Sequence, residues 1–279
     1  MPSSLAEFRT VICADWSAGT RRRAVWKADI ATGRISRLVP PVSGWTVRTV
    51  LGRAEQSPRP VVIGFDAPLG LPASFLAHVG VRSFLEWLAA APDEAFQPIP
   101  TGVGWCPARP FVQPLVKGST WRAAEEAASA LKVDLLRRID RSTGAQSAFR
   151  LVGAKQVGGA AIALWRELRQ ARAEGWSFAV WPFEEEGNDV VVAEIYPAVL
   201  YERAVGRRIT KSSASDRGLA AEELVHAGFV QPPDTAWIGA SDDELDAALS
   251  AVALMKAARA GSPMATSVDL LAEGAIVGT

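Results

Sequence analysis

Cysteine and histidine are scarce in this sequence, and neither sign of charge is in excess. The two cysteines, Cys13 and Cys106, lie far apart, and Cys13 falls inside an apolar run. They read as free thiols of a reducing compartment, not as a disulfide framework. The two histidines, His78 and His226, stand in no zinc-ligand spacing such as His-Glu-x-x-His, and no Gly-x-Ser-x-Gly elbow is present. Metal-free Ser-His-Asp hydrolysis is therefore disfavoured. The lack of a Gly-x-x-x-x-Gly-Lys-Ser/Thr loop argues equally against a P-loop nucleotide hydrolase. Lys+Arg and Asp+Glu are balanced at 30 each, so no overall field draws the chain to nucleic acid or membrane, which leaves only local basic patches. No apolar run approaches the roughly 20 residues that span a bilayer. Residues 1–10 lack the basic start and apolar stretch of a signal peptide. The expectation is a cytoplasmic protein with no membrane partner.

What is present is an ordinary globular composition. Hydrophobic residues make up 49% and charged residues 22% of 279, enough for one α/β domain with a sizeable core and insertions. No internal repeat, low-complexity tract or domain linker divides it, so residues 1–279 are expected to form a single domain. Val11-Ile12-Cys13-Ala14 is a continuous apolar run ending at Asp15, the pattern of a strand buried on both faces. Residues 24–30 and 34–39 flank Thr32-Gly33 and predict a hairpin, so three antiparallel strands open the chain. A helix is expected over 45–55. The first pattern returns at Val61-Val62-Ile63-Gly64-Phe65, ending at Asp66, and again at Val190-Val191-Val192-Ala193, ending at Glu194. Between them the spacing predicts helices over 73–91, 120–139 and 157–173, with a Pro/Gly-rich loop over 92–117 of the kind that often serves as a lid or binding loop. Further helices are expected over 198–206 and 214–227. Ser241 with Glu244 three residues later forms a capping-box signature for a last helix, on which Leu245, Ala248, Leu249, Val252 and Lys256 share a mostly apolar stripe.

Three buried-looking strands thus each end in a carboxylate: Asp15, Asp66 and Glu194. Ligands of open α/β sheets collect beyond strand ends, and clustered carboxylates suit a hard cation such as Mg²⁺ or Mn²⁺. Any one of these acids, taken singly, also reads as a turn former or helix cap. Asp242, Asp243 and Glu244 occupy the first turn of the last helix, where the helix dipole favours them. Asp246 lies past that turn beside the apolar stripe, where a carboxylate needs a cation or donors. Asp243, three residues earlier, points to the same side.

Asp15-Trp16-Ser17-Ala18-Gly19, Phe65-Asp66-Ala67-Pro68-Leu69-Gly70-Leu71-Pro72, Ala193-Glu194-Ile195-Tyr196-Pro197 and Asp243-Glu244-Leu245-Asp246-Ala247-Ala248 resemble the motifs of domain-of-unknown-function family 429. That family is regarded as a predicted RNase H-like nuclease group. Phe149 to Gly159 and Trp181-Pro182-Phe183-Glu184 are similar to a longer subgroup, and the likeness runs from about Val11 to Glu273-Gly274. The resemblance implies an RNase H-like mixed sheet, three antiparallel strands then parallel strands, flanked by helices. A long, mainly helical insertion at about 73–188 would separate the Asp66 and Glu194 strands. It also implies a carboxylate cluster holding Mg²⁺ or Mn²⁺, with one ion activating water and another stabilising the leaving oxygen. Asp15 would bridge the ions, and Asp66 or Glu194 with Asp246 would complete their shells. Asp15, Asp66, Glu194 and Asp246 are thus the expected catalytic residues, with Asp243 a further metal ligand.

Phosphate contacts need cations. Arg21-Arg22-Arg23 follows the first acidic strand, and Lys155 precedes Gly158-Gly159 at a helix start. Arg22 and Lys155 are the substrate-binding candidates, although an arginine run also suits a solvated hairpin tip. Arg207, Arg208, Lys211 and Arg217 form a second basic group that solvation alone would explain. Among ten tryptophans, Trp16 beside Asp15, and Trp105 and Trp121 near the long loop, are candidates for base stacking, with core packing the commoner fate. The leading reading is a metal-dependent nuclease or phosphodiesterase acting on DNA or RNA. The alternatives are a small-molecule phosphotransfer or nucleotide-binding protein of the actin-like or sugar-kinase kind, and a non-catalytic binding module on the same fold.

Overall fold

The apolar runs form the middle of a sheet. A computed structural model describes residues 4–97, 105–112, 121–151, 157–184, 188–231, 233–264 and 272–278. Strand β1 (Thr10–Asp15) is buried along its length until Asp15, which is half-buried. It pairs antiparallel with β2 (Ala24–Asp29), which pairs antiparallel with β3 (Arg34–Arg37). The hairpin between these turns at Gly33, whose φ of 74° is the left-handed region that favours glycine. Helix α1 (Val47–Glu55) is capped reciprocally by the Thr46 and Thr49 side chains and leads into β4 (Val61–Asp66), which runs parallel to β1.

The helices that follow are shorter than the sequence predicts. Residues 73–91 form α2 (Ala73–His78) and α3 (Phe84–Ala90), and residues 120–139 form α4 (Trp121–Ala130) and the start of α5 (Arg138–Thr143). Gly80 ends the α2 segment in the left-handed region, and Ser83 restarts α3 by accepting from Glu86 N–H at 3.2 Å. Helix α6 (Gly158–Ala173) begins where the glycine pair predicts. Residues 98–104 and 113–117 of the 92–117 loop lie outside the described residues; within the rest, Asp93–Phe96 is a 3₁₀ turn.

Strand β5 (Ala179–Val180), too short to show any periodicity in the sequence, pairs parallel with β6 (Val190–Glu194), which pairs parallel with β4. Helices α7 (Pro197–Val205), α8 (Ala214–His226), α9 (Thr235–Ile238) and α10 (Asp242–Arg259) complete the chain's main elements. The strand order is β3-β2-β1-β4-β6-β5. Three antiparallel strands followed by parallel ones, flanked by helices, make the architecture RNase H-like.

The chain gathers into two compact units. The first, Met1–Ala67 with Ala171–Ala265 and Ile276–Thr279, holds the whole sheet. The second is Pro68–Gln170 with Thr266–Ala275, so residues 171–188, expected in the insertion, run with the sheet. The second unit has its own aromatic core: Phe84 and Trp87 sit 5.0 and 5.6 Å from the Trp165 ring, and Trp165 Nε1 donates to Pro68 O at 2.7 Å. Each such buried ring contributes roughly 1.5–3 kcal/mol. Among the described residues no helix is long and apolar enough to cross a membrane.

Helix α10 departs from the amphipathic expectation. From Glu244 to Met255 every residue is buried, so it is a central helix rather than one with a single apolar stripe. Its N-cap is half of the predicted box. Ser241 Oγ accepts from Glu244 N–H at 3.1 Å, but the Glu244 carboxylate turns to the sheet, accepting from Trp26 Nε1 at 2.7 Å and Arg37 Nε at 2.7 Å. The buried Trp26 N–H and the Arg37 charge outcompete a backbone N–H that the helix end leaves near solvent.

Candidate metal centre

The register of two strands creates the site. Asp15 and Asp66 are the last residues of β1 and β4 and are direct partners across the parallel ladder. Paired residues on neighbouring strands leave the sheet on the same face, so the two carboxylates stand side by side. Trp26, opposite Cys13 in the β1–β2 ladder, shares that face and through Glu244 fixes the start of α10 over it. Asp246 follows two residues later, 1% exposed. One oxygen from each of Asp15, Asp66 and Asp246 lies within 4.8 Å of the others.

Glu194 is absent from this trio for a reason of register. Its partner on β4 is Phe65, one residue short of Asp66. A single step along a strand reverses the face, so Glu194 points to the side of the sheet opposite the three aspartates. It is buried, and its backbone carbonyl accepts from Val277 N–H at 2.9 Å. Asp243 is half-buried, one turn before Asp246, and also stands outside the trio. Both acids still act through space, adding to the field that opposes ionisation of Asp66.

That field is strong. Burial, then the charges of Asp66, Asp246 and Asp243, hold the Asp15 carboxyl well above the ordinary range. Burial, then Asp246, pushes Asp66 up to about 8. Asp246 is raised too, chiefly by burial, although the Lys211 ammonium and two hydrogen bonds oppose the rise. Those bonds divide its carboxylate: the Tyr201 hydroxyl donates to Oδ1, and Lys211 Nζ donates to Oδ2 at 2.5 Å. Burial works against the Lys211 charge, but Asp246, Asp66 and Asp15 outweigh it and leave the ammonium above its ordinary value. Burial and Asp246 likewise raise the Tyr201 phenol, and burial and Asp66 raise that of Tyr196.

The donor set fits a small hard cation. Oxygens opposite each other on a Mg²⁺-sized ion are about 4 Å apart, within the spread of the three carboxylates. No thiol or imidazole belongs to the trio, which disfavours a soft metal. Asp15 and Asp66, half-buried, and Asp246, buried, repel one another, and all three stay raised although Lys211 stands beside them, so a divalent cation would supply charge that favours their ionised forms.

The other expected site residues fall differently. Trp16 is buried, its ring edge-on to Phe65 at 4.7 Å and covered by the Arg23 guanidinium at 3.6 Å, so it is core and offers no face for stacking. Arg22 is exposed on the 3₁₀ turn Thr20–Arg22. Lys155 lies outside the described residues. Trp105 is buried and donates to Pro110 O at 3.0 Å, and Trp121 donates to Glu125 Oε1 at 2.8 Å.

Tyr201 and Lys211 are the residues the sequence reading missed as partners of Asp246. The available signal was scarcity: the chain has two tyrosines, and both follow the Glu194 strand end within seven residues. Lys211 was visible only as one of four clustered cations, to which the structure gives different partners. Arg207 pairs with Asp216 and Glu223, and Arg217 donates to the carbonyls of Lys211 and Gly239.

A family model described as a protein of unknown function (DUF429) matches residues 9–266. No curated protein and no solved structure matches the chain.

Proposed function

The chain belongs to the DUF429 family, whose description carries no reaction, and from the geometry of its three-aspartate site we propose a divalent-cation-dependent phosphodiesterase or nuclease, with DNA or RNA as the substrate class. The observation that carries this reading is the convergence of Asp15, Asp66 and Asp246, from two adjacent strand ends and a buried helix, within 4.8 Å. Such a site, beyond the carboxyl ends of parallel strands, is where an α/β sheet receives ligands.

Asp15 and Asp66 would hold Mg²⁺ or Mn²⁺ from rigid strand ends. Asp246 would complete the set, its carboxylate plane fixed by the Tyr201 hydroxyl. When bound, the cation supplies Lewis acidity toward a phosphoryl oxygen and lowers the pKa of water. Asp243, half-buried at the edge of the trio, is placed to orient a water or an outer shell. Glu194 contributes negative potential from the other face of the sheet rather than a ligand atom. Arg22, exposed with Arg21 on the turn that follows β1, is the described candidate to meet a phosphate.

The test is a metal-titrated thermal shift on the wild type and on Asp15→Asn, Asp66→Asn and Asp246→Asn, paired with oligonucleotide cleavage. Mg²⁺ or Mn²⁺ at a hundredfold excess over Kd should stabilise the wild type by about 2.7 kcal/mol. Each amide variant should lose that increment together with any cleavage. A wild type whose melting is indifferent to both ions, under conditions where it is folded, would overturn the reading.

A further inference from the structure

Lys211 does more than sit near the acids. It lies on the segment between α7 and α8, and its backbone is pinned on several sides. Arg217 Nη1 donates to Lys211 O at 2.7 Å, Thr210 N–H donates to Asp216 Oδ2 at 2.6 Å, and Ser213 N–H donates to Thr210 O at 2.8 Å. Asp216 is itself held by Arg207 Nη1 at 2.7 Å. From this pedestal the side chain reaches Asp246 Oδ2 at 2.5 Å while remaining 49% exposed, against 1% for Asp246. The stem is flexible and the side chain is half exposed, so the ammonium can swing out while its base stays fixed.

We propose that Lys211 is the resident counter-ion of the three-aspartate site, that a divalent cation displaces it from Asp246, and that it thereby sets the site's preference for divalent over monovalent ions. The inference rests on the carboxylates being a cation site. With no metal bound, one positive charge already meets the most buried of the three carboxylates. A monovalent ion entering the cluster would replace that charge with its equal and gain nothing. A divalent ion brings twice the charge, and only such an ion gains enough to drive the ammonium out. Tyr201 keeps the other oxygen of Asp246 in place throughout, so the exchange needs no movement of α10.

The experiment is a titration of the purified full chain with Mg²⁺, Mn²⁺ and K⁺, read by calorimetry and thermal shift, on the wild type, Lys211→Met and Lys211→Arg. Lys211→Met should lower the Mg²⁺ concentration for half-saturation on the order of tenfold. It should also make K⁺ stabilising where the wild type ignores it. Lys211→Arg, which keeps the charge, should retain the wild-type selectivity and shows that a change in Lys211→Met is not a folding defect. If the wild type binds Mg²⁺ and Lys211→Met binds it equally or more weakly, Lys211 is no competitor and this proposal falls alone. If neither wild type nor Lys211→Met responds to any ion, the cation site falls and takes the proposal with it. A response confined to Lys211→Met would mean that no divalent ion displaces the ammonium in the wild type, and would overturn the proposal and the metal reading together.

Discussion

Tyr201 and Asp246 are 6% and 1% exposed, and the phenol is donated to a carboxylate that burial alone would rather keep protonated. A hydrogen bond to a charged buried acceptor is worth about 1.5–3 kcal/mol, more than an exchange of neutral partners. Tyr201→Phe keeps the ring and removes only the donor. It should lower stability by about 1–3 kcal/mol in urea unfolding at neutral pH. It should also weaken Mg²⁺ binding, because Asp246 loses the contact that orients it. An unchanged unfolding midpoint would mean the hydroxyl is satisfied equally well by water, and the positioning role would be gone. Lys211 remains in this variant, so its loss of affinity separates orientation from charge competition.

Elements place these residues, and the elements were unequally legible. The strands showed plainly, because a strand buried on both faces has a continuous apolar run and stops at its first charge, as at Asp15 and Asp66. Which face each terminal acid takes was not legible. That depends on register, and one residue of offset sends Glu194 to the opposite face from Asp66. Helix starts at Ser241 and Gly158 were readable from local chemistry. The surroundings of α10 were not, since an Ala-rich helix buried on every side carries no stripe to read. Nor does local chemistry say that Glu244 abandons its own N-cap for Trp26 and Arg37. That tie predicts an order of effects. Ser241→Ala, which removes an ordinary N-cap, should cost about 1 kcal/mol. Glu244→Ala leaves a buried indole N–H and a guanidinium 15% exposed without their acceptor, and should cost about 2–4 kcal/mol. Chemical unfolding of both variants decides it: if Ser241→Ala proves the costlier, α10 is held by its cap and not by the sheet.

At the scale of the whole molecule, thirty cations balance thirty anions, so no global self-repulsion sets the pH dependence of stability near neutrality. Local groups decide it, and they separate into two windows. Asp216 is held below its ordinary range by its backbone bond from Thr210 and by Arg207; stability from such a group is present above its unfolded pKa near 4 and is lost as pH falls through the lower folded value. Asp66 works in the opposite sense. Its folded pKa, pushed up to about 8, lies above the unfolded value, so the native state binds the extra proton between the two. Its contribution is therefore complete below about pH 4 and is lost as pH rises toward 8, with Asp15 raised in the same direction. The metal-free protein should be less stable at pH 8 than at pH 5, the reverse of a protein whose acids are paired. Unfolding midpoints in chelator across that range measure the slope. Asp66→Asn, which removes the strained proton equilibrium while leaving the strand intact, should flatten it. Saturating Mg²⁺ should flatten it as well, because a bound cation favours the ionised carboxylates that burial opposes. A metal-free slope of the opposite sign, or one that Asp66→Asn leaves untouched, would show that the three aspartates do not share a common buried field.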